Sequence, residues 1–251
     1  MLYLIGLGIY DEKDISLKGL ETLRNCDELY AEFYTNVFSG DLKNLESLVK
    51  KKIKILRRSD IEENPEENVL KNSLKKKVAL LVSGDPMVAT THIDLILRAK
   101  KLGIGYKIIH ASSVYSAIGE TGLQIYKFGR TSTLAFPEKG YFPTTPYDVL
   151  KENLKAGLHT LLLLDVRSEK ERFMTVNEGI DLLLKMEEMK KEKIFNEDSL
   201  CMGIARLGND TKIKVGKAKE LLNEDFGKPP HILIIPGRLH FMEEEAIEIF
   251  R

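Results

Sequence analysis

Lys77-Val78-Ala79-Leu80-Leu81-Val82-Ser83-Gly84-Asp85-Pro86-Met87-Val88-Ala89-Thr90-Thr91-His92 is the stretch that decides the fold. Its aliphatic run, Val78 to Val82, reads as a strand buried on both faces in a mostly parallel sheet. The run breaks at Ser83-Gly84-Asp85-Pro86. Gly84 permits positive φ, Asp85 can bond nearby backbone, and Pro86 fixes φ and lacks an N–H. Beyond it Ile93, Ile96 and Leu97 recur at helical spacing, with Arg98, Lys100 and Lys101 towards the far end. The unit is therefore strand, tight turn, helix. In open α/β sheets ligands bind outside the carboxyl ends of strands, where this turn lies. An ordinary βα turn accounts for the same residues, because Gly-Asp-Pro is good turn chemistry in its own right.

Upstream, Leu2 to Ile5 reads as a strand running into Gly6-Leu7-Gly8-Ile9-Tyr10-Asp11. Gly-x-Gly at a strand end suits backbone that approaches a ligand closely. The third glycine of a dinucleotide fingerprint is missing, and no acidic residue ends a clear second strand, which argues against a Rossmann NAD site. Ser16 is a candidate cap for a helix carrying Leu20 and Leu23. Strands follow at Leu29 to Phe33 and Ile53 to Leu56, with a short helix at 42–49 between them. Asn64-Pro65-Glu66-Glu67 is a good helix start, and that helix is expected to reach Lys75. A helix at 89–101, ended by Gly103 and Gly105, then leads to a strand at Tyr106 to Ile109. Strands alternating with helices over the first 110 residues describe one α/β domain. His110-Ala111-Ser112-Ser113-Val114-Tyr115 follows, where Ser112 or Ser113 can cap a helix, with or without a ligand beside it.

The second half repeats the style without a sequence repeat. Strands are expected at Thr131 to Phe136, Thr160 to Leu164, Ser199 to Ala205, Lys212 to Val215 and His231 to Ile235. Helices are expected from Thr145-Pro146, from Thr175, at 217–223 and from Glu243 to Phe250. The pattern divides the chain into an N-terminal α/β domain, 1–110, and a C-terminal one, 111–251. A cleft between two such domains is the default small-molecule site.

Hydrophobic residues make up 43% of the 251 and charged residues 30%, a globular composition. Lys+Arg and Asp+Glu each number 38, so no overall basic field exists to gather nucleic acid or an anionic membrane. Cys26 and Cys201 lack metal-ligand spacing and suit a reduced, cytoplasmic compartment. No signal peptide is expected, and no stretch approaches the roughly 18 apolar residues of a membrane span. Nucleophile elbow, Walker A loop and His-Glu-x-x-His are all absent. The five histidines, His92, His110, His159, His231 and His240, are scattered and read as structural or cleft residues rather than metal ligands. Glycine-marked strand ends without a nucleophile or metal set fit chemistry carried by a cofactor. Methyl transfer from S-adenosylmethionine is of that kind. Its sulfonium is a good leaving group, so in-line attack mainly needs alignment and an unprotonated nucleophile.

Four segments in order, Ile5 to Asp11, Ser83 to His92, Ala111 to Ala117 and Pro229-Pro230-His231-Ile232-Leu233-Ile234-Ile235-Pro236-Gly237, resemble the diphthine synthase family. Ala31-Glu32-Phe33-Tyr34-Thr35, Thr121 to Gly129 and Asn223 to Gly227 agree, so the resemblance runs from Ile5 to about Leu239. The family belongs to the tetrapyrrole-methylase-like (class III) methyltransferases. This implies two αβα domains with mixed sheets and the cofactor in the cleft between them. Members acting on tetrapyrroles usually carry Pro-Gly-Asp after the first Gly-x-Gly. Ile9-Tyr10-Asp11 stands here instead, which counts against a porphyrin or corrin.

Carried over by position, the cofactor contacts are Ile9, Asp85, Val88, Ser113, Val114, Leu164, the strand end from Ala205 to Leu207, and His231. Suitable roles are Gly8 and Gly84 admitting the ligand to backbone, Asp85 facing its cationic end and Ser113 its carboxylate, with Leu164 and Val88 flanking adenine. The implied substrate is the histidine of translation elongation factor 2 that bears a 3-amino-3-carboxypropyl group. Its amino nitrogen is methylated successively to trimethylammonium, leaving S-adenosylhomocysteine. That nitrogen must lose a proton before each attack, and the sequence names no base. The 137–146 loop is the candidate docking surface. The resemblance further implies a homodimer, while motif spacing, charge balance and hydropathy speak for no metal, no nucleic acid and no membrane. Two alternatives stand: a class III enzyme acting on a precorrin or uroporphyrinogen, and a nucleotide-binding module without catalysis.

Overall fold

The computed structural model describes residues 1–251 and divides into two compact units, Met1–Ala117 and Ile118–Arg251. The sequence had suggested a division at 110/111.

The first unit contains, in order, β1 (Leu2–Gly6), α1 (Leu17–Arg24), β2 (Glu28–Glu32), α2 (Leu42–Val49), β3 (Lys54–Leu56), α3 (Lys71–Ser73), β4 (Val78–Val82), α4 (Ile93–Lys101), β5 (Tyr106–Ile109) and α5 (Val114–Ala117). Its sheet has the order β3-β2-β4-β1-β5, and every pairing is parallel. Alternation along β4 explains why all five of its residues are aliphatic. Val78, Leu80 and Val82 pack with Leu95, Ile96 and Ala99 of α4, and Ala79 and Leu81 pack with Leu23, Leu45 and Val49 of α1 and α2. A strand clothed on both faces has no polar side to show. Ser16 caps α1 by accepting the Gly19 N–H at 3.0 Å, and Asp41 caps α2 by accepting that of Lys43 at 2.7 Å.

Two helices depart from expectation. The stretch after Asn64 does not run as one α-helix to Lys75. It forms wide five-residue turns, Ser59–Glu63 and Glu66–Leu70, before α3, with Leu70 N–H bonded back to Pro65 O at 3.0 Å. Val69 and Leu70 are both fully buried in the second of these turns. The helix expected from 89 starts only at Ile93. Ala89 has φ 54°, and Pro86 O accepts from Thr90 Oγ1 at 2.6 Å and His92 Nδ1 at 3.1 Å, which closes residues 86–92 into a loop.

The second unit contains β6 (Ser132–Leu134), α6 (Thr145–Lys155), β7 (Thr160–Leu164), β8 (Val166–Arg167), β9 (Arg172–Phe173), α7 (Val176–Lys190), β10 (Leu200–Ala205), β11 (Lys212–Lys217), α8 (Ala218–Leu221), β12 (His231–Ile235) and α9 (Phe241–Ile247). The main sheet, β11-β10-β12-β7-β6, is mixed: β6 and β7 are parallel and the other neighbours antiparallel. Thr175 and Glu178 form a reciprocal capping box that starts α7. The buried face of α7, with Val176, Ile180 and Leu183, meets Leu134, Leu162, Leu164 and Leu233 of the sheet. The β8–β9 hairpin was not foreseen. In the 137–146 segment, Glu138 and Tyr141 exchange backbone bonds of 2.9 Å in each direction. No helix is long and apolar enough to cross a membrane.

Candidate functional site

In the first unit β1 lies between β4 and β5, so three loops at strand carboxyl ends converge: 6–11, 83–92 and 110–113. The convergence is tight. A Cβ on Gly6 would stand 2.6 Å from Gly84 O and 2.7 Å from the Ala111 Cβ, so only glycine fits. Gly8 and Gly84, both with positive φ, exchange backbone bonds of 3.2 and 2.7 Å, pinning the first loop to the second. Ile9 and Val88 stand half-buried beside this crossing.

Asp85 is 6% exposed, and its carboxylate is fully employed within the unit. One oxygen accepts the Met87 N–H at 2.9 Å. The other accepts the Ala111 N–H at 3.1 Å and faces His110 Nδ1 at 2.9 Å. Its visible work is thus to tie the loop after β4 to the loop after β5. Ser113 is buried, but its hydroxyl does not cap the short α5. Ser116 Oγ returns to accept the Ser113 N–H at 2.9 Å, and Val114 follows half-buried.

In the second unit the strand directions explain how residues far apart in sequence meet. β12 runs antiparallel to both β10 and β7, so its first residues lie beside their last ones. His231 pairs with Ala205, and Ile232 pairs with Leu163, one residue before Leu164. Leu164, Ala205, Leu207 and His231 are all buried at this edge. Arg206, with φ 53°, braces the turn before β12 by donating to the carbonyls of Phe226 and Lys228 at 2.9 Å each.

His231 Nε2 lies 3.2 Å from the carbonyl oxygens of both Gly227 and Lys228. Carbonyls only accept, so Nε2 carries the hydrogen and Nδ1 keeps a bare lone pair. That Nδ1 is buried and has no partner. Burial holds the imidazole below its ordinary pKa and Arg206 pushes the same way, against the two carbonyl bonds. The ring is a neutral acceptor with nothing to accept.

The sequence-derived residues therefore form two groups, one at the loop ends of each unit. His110, read from the sequence only as a structural or cleft residue, lies on the same loops through its contact with Asp85. Its one signal was its place directly after β5, between the apolar run and Ala111-Ser112-Ser113. No cluster of three or more His, Cys, Asp or Glu side chains is arranged to hold a metal ion.

A family model described as tetrapyrrole (corrin/porphyrin) methylases matches residues 1–222. Diphthine synthase of Methanocaldococcus jannaschii is 52% identical over 252 residues, covering 99% of this chain and 98% of the relative. That of Methanococcus maripaludis is 51% identical over 251 residues, with the same coverages. A diphthine synthase crystal structure superposes with a TM-score of 0.90 at 37% identity, covering 99% of this chain and 95% of the other.

Proposed function

The chain belongs to the tetrapyrrole methylase family and is a methyltransferase; we propose from that premise that it uses S-adenosylmethionine to methylate the 3-amino-3-carboxypropyl histidine of translation elongation factor 2. The reaction is successive methylation of the amino nitrogen to the trimethylammonium product, diphthine, acting as a homodimer. Ile9, Asp85, Val88, Ser113 and Val114 of the first unit and Leu164, Ala205, Leu207 and His231 of the second hold the cofactor. The single observation that carries this is His231 Nδ1, a buried acceptor without a partner. A polar atom left dry and unpaired costs stability, which a bound donor such as an adenine amino group or ribose hydroxyl would recover. When bound, the cofactor supplies a methyl group on a sulfonium that is already a good leaving group. The chain's own contribution is orientation, from glycine backbone and the loops that Asp85 locks together, and a dry apolar wall from Leu164, Ala205 and Leu207.

The test pairs calorimetry with labelled methyl transfer. The protein is expected to bind S-adenosylmethionine and to label elongation factor 2 carrying the modified histidine, but not uroporphyrinogen or a precorrin. His231→Leu should weaken cofactor binding about tenfold, or ~1.4 kcal/mol. Label delivered to the tetrapyrrole alone, or no cofactor binding, would overturn the proposal.

A further inference from the structure

We propose that His110, oriented by Asp85, is the general base that takes the proton from the substrate nitrogen before each methyl transfer; the inference rests on the reaction proposed above. A carboxylate accepts and cannot donate, so the 2.9 Å contact between Asp85 Oδ2 and His110 Nδ1 places a hydrogen on Nδ1. In the neutral ring Nε2 then holds the free lone pair. Asp85 is itself fixed from two further directions, by the N–H groups of Met87 and Ala111, so the partner that aims the ring does not wander. The His110 side chain is 68% exposed while that of Asp85 is 6% exposed. The pair is thus a buried anchor with a solvent-facing base, and no protein group bonds to Nε2.

Its place follows from the strand order. His110 directly follows β5 and Asp85 stands three residues after β4, with β1 between the two strands. The dyad therefore sits on the same converging loops as Ile9, Val88 and Ser113. The other histidines are occupied differently. His92, His159 and His231 are buried, and His240 Nδ1 accepts the Met242 N–H at the start of α9.

The chemistry balances. The substrate ammonium gives its proton to His110 Nε2, forming an imidazolium held against the Asp85 carboxylate. The freed nitrogen lone pair forms a bond to the methyl carbon of S-adenosylmethionine. The carbon–sulfur bond breaks, its electron pair stays on sulfur, and the positive charge passes from sulfur to nitrogen. The exposed imidazolium then releases its proton to water. The first and second products again carry an N–H proton that must leave. The third, a trimethylammonium, carries none, and the sequence of transfers stops.

The experiment uses His110→Gln and His110→Ala in the full chain, with thermal unfolding to verify the fold. His110→Gln should lower kcat by about 10²- to 10⁴-fold with cofactor affinity within about twofold of wild type. Added imidazole, or alkaline pH at which the substrate ammonium loses its proton unaided, should restore part of the His110→Ala rate. Independently of turnover, long-range proton–nitrogen NMR of the wild-type protein should show the Nδ1–H tautomer at His110. A kcat loss below tenfold in both variants, or an Nε2–H tautomer, overturns the proposal. A wild-type protein that fails to methylate the elongation factor would instead remove the reaction itself, and the base with it.

Discussion

Two carboxylate–histidine pairs of nearly equal length sit in the molecule and do opposite things. Asp85 meets His110 at 2.9 Å in the first unit, and Glu243 meets His159 at 3.0 Å in the second. Both side chains of the second pair are 0% exposed. Glu243 accepts from the N–H groups of Gln124 and His240, from His159 Nε2 and from Lys127 Nζ, while His159 Nδ1 accepts the Gly237 N–H at 3.0 Å. Every polar atom of that pair is satisfied, so it fastens residues 124–127, the start of β7 and the start of α9 into one piece. In the first pair one nitrogen is left over and faces solvent. The chemistry of a dyad is set less by its members than by which of their atoms remain unpartnered.

Breaking the buried pair should have the largest effect. Glu243→Ala strands the buried His159, the Lys127 ammonium and two backbone N–H groups, and is expected to cost about 3–5 kcal/mol in urea denaturation. A loss below about 1 kcal/mol would mean that the segment repacks without it.

The buried pair should also respond to acid. Burial alone would raise Glu243, but Lys127, the N–H groups of Gln124 and His240, and His159 together outweigh it and hold the carboxyl at about 2. Burial lowers His159 below its ordinary value against the pull of Glu243. In both cases the unfolded chain takes up protons more readily than the folded one, near 6.5 for the histidine and 4.5 for the carboxyl. The contribution is therefore complete above pH 6.5 and declines as pH falls towards the folded values. His159→Gln should flatten the decline just below pH 6.5 by up to about 1.4 kcal/mol per pH unit, measured from denaturation midpoints. An unchanged slope would remove His159 from the acid response.

The smallest effect belongs to the pair whose histidine is exposed. His110→Gln should shift folding stability by no more than about 0.5 kcal/mol, as expected at a surface position. A loss several times larger by thermal unfolding would erase the distinction between the two dyads.

What was legible in the sequence follows the same line between buried and local. The ends of β4, β7 and β12 fall where the unbroken apolar runs stop, at Val82, Leu164 and Ile235, because a strand covered on both faces is written in its own residues. Thr175 marked the start of α7 because a capping box is local chemistry. The late start of α4 was hidden, since it depends on Pro86 O collecting Thr90 and His92. The β8–β9 hairpin was hidden because two-residue strands leave no period. Most of the candidate site residues were placed by resemblance, and the meeting of His231 with Ala205 needs the antiparallel registers. The Asp85–His110 pair was invisible for a related reason. Its partners are joined only by the order of strands β4, β1 and β5, which neither residue encodes.

The reciprocal bonds between Gly8 and Gly84 have a thermodynamic consequence. Neither loop can swing out without breaking bonds to the other, so both lose their conformational freedom when the first unit folds. The entropy of ordering this loop backbone is charged to folding rather than to binding. Whatever settles against it meets a surface already in place, and affinity is not diminished by the cost of making one.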